Sequence, residues 1–368
     1  MVSTQELGAV TASPTFGGVT ASPTFGGVTA SPTFGGVTAS PTHVGEPTRG
    51  GVSASEDHGL YHHYSRYLKE TFGGKTYKVV VNSGLTCPTR DGTITKGGCT
   101  FCDVRGSSSF FGKQGRGGEI TDQINSRLPG TRARFGAEKF IAYFQSYTNT
   151  YSDAEYLREI YGEALAHPDI SGLAIGTRPD CLPDSVIELL EELAGKHYVS
   201  LELGIQSFEA PTLEWFIRGH DGECSRIALR KMRERAPHVH TCAHFIFGAP
   251  TDSATAPKDA ALEMNEFGVK GVKLHQMMVL KYTKLAEMYE AAPFPILTMD
   301  EYAERAIQFL EHLRPDIYVE RLQAKASHQA ELIAPDWSKT HWIPYNRILK
   351  LMQERGSYQG KALGYAKT

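Results

Sequence analysis

The sequence predicts an α/β fold, an incomplete parallel (β/α)6 barrel (a partial TIM barrel), and three observations lead to this prediction. Short apolar stretches alternate with helix-like segments through most of the chain. The segments between them are long enough for the right-handed crossovers that join parallel strands. The densest group of cysteines directly follows the first predicted strand, at the edge where such folds carry their functional residues.

Each unit of the predicted barrel is an apolar strand followed by an amphipathic helix. The predicted strands are 76–82, 139–147, 173–177, 198–206, 239–247 and 269–280. The predicted helices are 119–128, 153–166, 183–194, 211–218, 224–234, 255–267 and 299–313. A strand at 316–323 and a helix at 341–355 predict a small C-terminal α/β extension. We therefore divide the chain into an N-terminal tail, 1–56, a core domain, 57–314, and an extension, 315–368.

The predicted tail consists mainly of a repeated nonapeptide. The motif Val-Thr-Ala-Ser-Pro-Thr-Phe-Gly-Gly begins at Val10, Val19 and Val28, and a degenerate copy begins at Val37. Each complete copy offers one valine and one phenylalanine to a core, and its proline interrupts any continuous strand ladder. So little apolar surface cannot offset the conformational entropy of the chain. We therefore expect residues 1–56 to be disordered.

Composition excludes several classes of protein. The 368 residues carry a net charge of −3, which does not indicate a strong polyanion-binding protein. No apolar run approaches the roughly eighteen residues of a membrane span, so no membrane association is expected. Six cysteines in a chain of this length do not form a disulfide scaffold, and three of them lie within sixteen residues. This grouping predicts a metal site in a reducing compartment, the cytoplasm.

The three grouped cysteines, Cys87, Cys99 and Cys102, allow more than one kind of site. Three thiolates can hold a four-iron cluster and leave one iron open for a small molecule. A structural zinc site would need a fourth ligand, and adjacent Asp103 is badly placed for that role. A redox-active pair of Cys99 and Cys102 is the other alternative, although it leaves Cys87 unexplained. Spacing alone does not choose between these sites.

Several motifs resemble one enzyme family. The Cys99-Thr-Phe-Cys102 segment is similar to the cluster loop of radical S-adenosylmethionine (radical SAM) enzymes, with the aromatic Phe101 before the last cysteine. The wide gap after Cys87 resembles the branch related to the Elongator catalytic subunit and, within it, the YhcC-type radical SAM proteins. The resemblance runs from about Tyr61 to Gly360. Its motifs lie at 84–92, 144–151, 175–181, 218–221 and 356–360.

This resemblance implies a specific chemistry. Cys87, Cys99 and Cys102 would hold a [4Fe–4S] cluster whose open iron binds S-adenosylmethionine (SAM). An electron from an external low-potential donor of the flavodoxin or ferredoxin type would reduce the cluster. The reduced cluster would cleave SAM to methionine and a 5′-deoxyadenosyl radical, which abstracts a substrate hydrogen.

The resemblance also implies which residues contact SAM. Gln145, Ser146 and Thr148 lie at the end of the second predicted strand, where relatives contact the methionine amino group. Gln206 and Arg218 correspond to a glutamine that touches SAM and an arginine that pairs with its carboxylate. His244 stands where related enzymes carry an aspartate, and it could take over a ribose contact. The alternatives are that Gln206 caps a strand end, that Arg218 is a surface residue and that His244 is structural.

The substrate is the least determined feature. Cys181 follows the third predicted strand and is a candidate catalytic thiol, although a single cysteine can equally be a small buried apolar residue. The Elongator relationship suggests tRNA, with the basic and aromatic residues of the last predicted helix as its contacts. A small molecule or peptide is the other possible substrate. A non-catalytic sensor that holds a cluster or zinc remains the alternative to an enzyme.

Overall fold

The computed structural model describes residues 59–103 and 119–367. The prediction of a disordered tail at 1–56 lies outside these residues. Within the described ranges, no helix is both long enough and apolar enough to cross a membrane.

The centre of the structure is a sheet in which seven strands run parallel. The order across the sheet follows the chain, β1-β2-β3-β4-β5-β6-β8, as expected from successive right-handed crossovers. The strands are β1 Thr76–Val81, β2 Lys139–Phe144, β3 Ile170–Thr177, β4 Tyr198–Gln206, β5 His240–Phe247, β6 Gly271–Gln276 and β8 Tyr318–Arg321. A separate antiparallel pair consists of β7 Val279–Leu280 and β9 Leu332–Ala334.

Helices cover the outer face of the sheet, and their apolar sides pack on strand residues that are almost wholly buried. They are α1 Tyr64–Phe72, α2 Ile120–Phe135, α3 Ala154–Leu165, α4 Asp184–Ala194, α5 Ala210–Trp215, α6 Gly222–Arg235, α7 Ala256–Phe267, α8 Lys284–Ala291, α9 Met299–Glu311 and α10 Trp342–Glu354. Side chains begin several of these helices. Asp153 accepts a bond from the Tyr156 amide at the start of α3, and Thr298 with Glu301 forms a capping box at α9.

The sheet curls into a half-barrel, and a cluster of buried charges demonstrates the curvature. Lys78 lies on edge strand β1 and Glu320 on the opposite edge strand β8, yet their side chains form an ion pair of 2.7 Å. Glu202 on the central strand β4 pairs with Lys78 at 2.5 Å and with Lys273 on β6 at 2.8 Å. Lys273 also pairs with Glu320 at 2.7 Å. We call these four residues the charge quartet; they lie inside the barrel.

The segment before α1 lines the free edge of β8. The His62 carbonyl accepts a hydrogen bond from the Val319 amide at 2.8 Å, so the chain adds a short bridge there before it turns into α1. Tyr64 and Tyr67 on α1 then stack against Tyr318. This packing covers an edge that would otherwise present unpaired backbone groups.

The structure confirms the predicted α/β half-barrel and changes several details. Segment 316–323, assigned to a C-terminal extension, instead contributes the seventh strand of the main sheet, β8. The predicted strand 269–280 divides into β6 and β7, and the predicted strand 139–147 ends at Phe144. Helices α1 and α8 were not predicted. The division of the chain into domains stays a prediction.

Candidate functional site

Most of the predicted site residues meet in a cavity of about 260 Å³ at the carboxyl ends of the strands. Parallel strands bring the residues that follow them to one edge, which explains how positions far apart in sequence come together. The residues that line the cavity include Cys87, Cys99, Phe101, Cys102, Gln145, Thr148, Gln206, Arg218 and His244. Ser146 is buried beside the cavity but is not part of its lining.

Backbone hydrogen bonds shape the loop that carries the cysteines. The Arg90 amide donates to the Cys87 carbonyl at 2.8 Å, and the Gly98 amide donates to the Thr89 carbonyl at 2.8 Å. Gly97 and Gly98 have φ values of +85° and +87°, which favour glycine over other residues. A further bond from the Thr100 amide to the Phe216 carbonyl, at 3.0 Å, ties the loop to the end of α5.

The thiol positions are compatible with a polynuclear cluster. Thr89 Oγ1 lies 3.1 Å from Cys87 Sγ and 4.0 Å from Cys99 Sγ, so the two sulfurs are at most their sum, 7.1 Å, apart. In the described ranges, no three His, Cys, Asp or Glu side chains converge tightly enough to hold a single metal ion. The thiolates of an iron–sulfur cluster each bind a different iron, so they do not have to converge on one metal ion.

Guanidinium groups set the electrostatics of the thiols. Arg218 Nη1 lies 3.3 Å from Cys99 Sγ, and Arg178 Nη1 lies 3.7 Å from the same sulfur. Burial raises the pKa of Cys99, but the two arginines outweigh burial and hold that pKa below its ordinary value. Burial raises the pKa of Cys102 to about 11, although Arg90 Nη2 lies 3.2 Å from its sulfur.

Arg178 was not predicted as a site residue, although it lies in one of the motifs. Its side chain is almost fully buried and makes a forked ion pair with Asp180, at 2.9 Å and 2.7 Å. The same guanidinium donates to the Arg218 carbonyl at 2.6 Å. Arg178 therefore positions Arg218 and places a second positive charge near Cys99.

Several buried polar atoms at the cavity have no hydrogen-bond partner among the described residues. Thr148 Oγ1, Gln206 Oε1 and Arg218 Nε belong to residues predicted to contact SAM, whereas Arg90 Nε does not. Burying such atoms without partners is costly, and functional sites are where this cost is accepted. The set offers a hydroxyl and an amide oxygen as acceptors and a guanidinium N–H as a donor. This arrangement fits an amino acid that carries both an amino group and a carboxylate.

The strand ends at this cavity have unusual backbone geometry. Gln206 ends β4 with a φ of +69°, and Tyr147 follows β2 with a φ of +63°. The pairing of β4 with β5 shifts register between Gly204 and Gln206, so a bulge re-aims the Gln206 side chain. A Cβ at Gly204 would lie 2.8 Å from Gln206 Nε2, so a side chain there would displace the Gln206 amide. Non-glycine residues with positive φ concentrate at functional sites.

Deeper in the same cavity lie His244 on β5, His275 on β6 and Arg321 on β8. Arg321 Nη2 is 3.3 Å from His244 Nε2, and the two imidazole centroids are 5.9 Å apart. Burial, reinforced by Arg321, holds the pKa of His244 well below its ordinary value and lowers that of His275 to about 3. Arg321 was not predicted from the sequence.

Cys181 lies away from the grouped cysteines. It follows Arg178 in a short 3₁₀ turn, Pro179–Cys181, and lines a separate cavity of about 750 Å³ together with Cys224. Burial and the nearby Asp180 raise its pKa to about 12, so the thiol is protonated at neutral pH. The catalytic role of Cys181 stays a prediction.

The basic residues of α10 are already paired. Arg347 makes two hydrogen bonds with Asp300 of α9, and Arg355 pairs with Glu304 of the same helix. Tyr345 is buried and shares a hydrogen bond with Tyr61. Arg347, Arg355 and Tyr345 therefore hold α10 against the core, whereas Lys350 pairs only with Glu354 of its own helix and the Trp342 ring is exposed.

Comparison with known sequences identifies two matching family descriptions. The radical SAM superfamily matches residues 91–264, and the radical SAM C-terminal domain matches residues 269–354. Together they span the half-barrel from the cysteine loop to α10.

Two bacterial relatives are similar over most of the chain. The uncharacterized protein YtqA of Bacillus subtilis (strain 168) is 36% identical over 301 residues, which are 82% of this chain and 92% of that protein. Protein YhcC of Escherichia coli (strain K12) is 34% identical over 298 residues, 81% of this chain and 93% of that protein.

A solved structure with the same fold is the archaeal Elp3 of Methanocaldococcus infernus, with its N-terminus deleted. The TM-score is 0.58 at 17% sequence identity. The match covers 77% of this chain, which spans just under two thirds (64%) of the solved chain. At this identity the similarity concerns the fold alone.

Proposed function

Because the chain belongs to the radical SAM superfamily, in its YhcC-type group, we propose that it is an enzyme that cleaves SAM reductively and uses the resulting radical to abstract a substrate hydrogen. The observation that carries this proposal is the meeting of three thiols with three unpartnered buried polar atoms in one cavity. The cofactors of the family are a [4Fe–4S] cluster and SAM.

In this proposal the cysteine loop holds the cluster. Cys87, Cys99 and Cys102 supply three thiolates, and the fourth iron is left to SAM. Arg218 and Arg178 face Cys99 and offset negative charge on the thiolates. Held by these three cysteines, the cluster would supply the electron for reductive cleavage of SAM to methionine and a 5′-deoxyadenosyl radical.

The unpartnered atoms form the binding site for the methionine end of SAM. Arg218 Nε is aimed to donate to a carboxylate, and a guanidinium stays protonated in that role. Thr148 Oγ1 and Gln206 Oε1 can accept hydrogen bonds from the amino group. Phe101 lies against Phe216 and beneath Arg218, so it limits water access to the guanidinium. We propose that an external low-potential protein of the flavodoxin or ferredoxin type supplies the electron.

The proposal is tested by anaerobic reconstitution of the full chain with iron and sulfide, reduction with dithionite and addition of SAM. We expect 5′-deoxyadenosine and methionine to form together. Cys99→Ala is expected to lose most of its iron and this activity, because one of three cluster ligands is removed. Cys224→Ala is the matched control, since Cys224 lies in the other cavity, and it is expected to keep both.

Two results would contradict the proposal. A wild-type protein with an intact, reduced cluster that forms no 5′-deoxyadenosine would be a sensor and not a radical SAM enzyme. Full iron occupancy in Cys99→Ala would exclude that cysteine as a ligand.

A further inference from the structure

The deep part of the cavity holds a positive charge that no acidic side chain offsets. Arg321 is half-buried on β8, and among the described residues it forms no ion pair. Its recorded partners are two neutral acceptors, the Leu274 carbonyl and His244 Nε2, each at 3.3 Å. A partly buried cation that lacks a counter-charge is unfavourable unless a ligand supplies one.

Two carboxylates near Arg321 are already committed elsewhere. Glu320 precedes Arg321 in sequence, and Glu202 also lines the cavity. Both belong to the charge quartet, where two glutamates balance two lysines. The quartet is therefore neutral as a unit and leaves the charge of Arg321 uncompensated.

A backbone irregularity directs Arg321 into the cavity. Val272 pairs with Val319 but Lys273 pairs with Arg321, so Glu320 is an extra residue in β8. Consecutive strand residues normally point to opposite faces, but a bulge allows both to face the same side. Glu320 consequently reaches the quartet while Arg321 reaches the cavity. Bulges beside functional sites commonly re-aim a side chain in this way.

The two histidines add directional hydrogen-bonding groups. Because Arg321 donates to His244 Nε2, the proton of the neutral ring is assigned to Nδ1, which is free to donate. His275 Nδ1 faces the Gln276 carbonyl, so it carries the proton and leaves Nε2 as an acceptor. Burial and Arg321 keep both rings neutral at physiological pH, as their lowered pKa values indicate. We call this deep part of the cavity its floor. The floor presents the Arg321 cation, the His244 Nδ1–H as a donor and His275 Nε2 as an acceptor.

We propose that this floor binds an anionic group of the substrate, a carboxylate or a phosphate, with Arg321 as its charged contact and His244 as a neighbouring donor. The assignment of the ligand as a substrate rests on the proposed function. His275 Nε2 accepts a hydrogen bond from a hydroxyl or amine close to the anionic group. Arginine suits this role because its planar fork matches the oxygens of either anion.

The test measures anion binding and does not depend on turnover. The reconstituted full chain, saturated with SAM so that Arg218 is occupied, is dialysed to equilibrium against radiolabelled orthophosphate or, in a second series, radiolabelled succinate. We expect saturable binding of at least one probe. Arg321→Gln is expected to weaken it by about tenfold or more, as for the loss of a hydrogen bond between charged groups. Tighter binding of phosphate indicates a phosphate ester as substrate, and tighter binding of succinate indicates a carboxylic acid.

Two variants separate binding from folding and from bulk charge. Arg321→Lys keeps the charge without the fork, so we expect an affinity between those of wild type and Arg321→Gln. Lys350→Gln removes one charge from an exposed position on α10 and is expected to bind like wild type.

The proposal is overturned if neither probe binds saturably, or if Arg321→Gln binds the probe as tightly as wild type. It is also overturned if Lys350→Gln loses as much probe affinity as Arg321→Gln. Probe binding that occurs only when SAM is left out would also overturn it, because SAM itself would then occupy the floor. Failure to cleave SAM would contradict the proposed function but would leave the anion site standing.

Discussion

Gln206 combines features that lower the stability of the fold with a position suited to binding SAM. It is buried, its Oε1 has no partner among the described residues, and its φ of +69° lies in the region that favours glycine. We expect Gln206→Ala to weaken SAM binding by about tenfold, since one buried hydrogen bond to an ionic ligand is lost, while iron content stays unchanged. Equilibrium dialysis with labelled SAM measures the affinity, and iron is measured by colorimetry.

The same position allows the backbone cost to be separated from the binding role. Gln206→Gly and Gln206→Ala both remove the amide, so they are expected to bind SAM equally weakly. Glycine tolerates a positive φ, so the glycine variant is expected to be more stable than the alanine variant by about 1 kcal/mol. Urea unfolding of the two proteins gives the difference, and the exposed Gln353→Ala serves as the control. SAM affinity equal to that of wild type in both variants would remove Gln206 from the site.

At the scale of secondary-structure elements, helix α8 supports the cysteine loop. The Leu285 amide at its start donates to the Thr100 carbonyl at 2.9 Å. Lys284 Nζ donates to the carbonyls of Lys96 and Gly98, at 2.7 Å and 3.3 Å. The first turn of α8 therefore fixes the loop segment that leads into Cys99.

We expect Lys284→Met to loosen this loop without unfolding the protein. Two hydrogen bonds from a cation are lost, but the side chain is partly exposed, so the free energy of unfolding should fall by no more than about 1 kcal/mol. Iron release to a chelator under air should become several-fold faster than in wild type. Lys281→Met removes an exposed lysine just before α8 and should release iron at the wild-type rate. Equal release rates in all three proteins would argue against this support.

The elements also show what a sequence pattern can and cannot predict. The strands were predictable because apolar runs such as 140–144 become wholly buried between two layers. The sequence predicts the segment that forms the seventh strand but assigns it to an extension. A four-residue strand does not indicate which other strand it will pair with. The cysteines were predictable from local spacing and motif. The contact between Arg321 and His244 was not, since it joins positions 77 residues apart and depends on a bulge that hydrophobic periodicity does not encode.

At the scale of the whole molecule, the charge quartet joins both edges of the sheet to its centre. Its members lie on β1, β4, β6 and β8, and their four ion pairs measure 2.5 to 2.8 Å. Tyr143 on β2 donates to Glu202 at 2.6 Å, so a fifth strand takes part. Buried ion pairs add little net stability over apolar packing, but removing one member leaves an unpaired buried charge. The quartet therefore favours this curvature of the sheet over others.

Glu202→Gln tests this role through both the magnitude and the pH dependence of stability. At neutral pH we expect a loss of about 3 to 5 kcal/mol in the free energy of unfolding, because Lys78 and Lys273 then share one carboxylate. Burial opposes the charge of Glu202, but Lys273 and Lys78 hold its pKa well below the ordinary value of 4.5. A depressed carboxyl pKa stabilises the fold above pH 4.5, and this contribution is lost as the pH falls toward the folded-state pKa. Wild-type stability should thus decline below about pH 4.5, and the variant's acid slope should be shallower.

Two further variants make this prediction decisive. Glu188→Gln changes an exposed glutamate on α4 and should stay within about 0.5 kcal/mol of wild type, with an unchanged acid slope. Adding Lys273→Met to Glu202→Gln restores charge balance, so the double variant should recover part of the lost stability. Urea unfolding between pH 3 and pH 8, roughly the range over which carboxylates titrate, measures all four proteins. Parallel acid slopes for wild type and Glu202→Gln would show that the quartet does not hold the half-barrel closed at low pH, and the curvature would then depend on apolar packing alone.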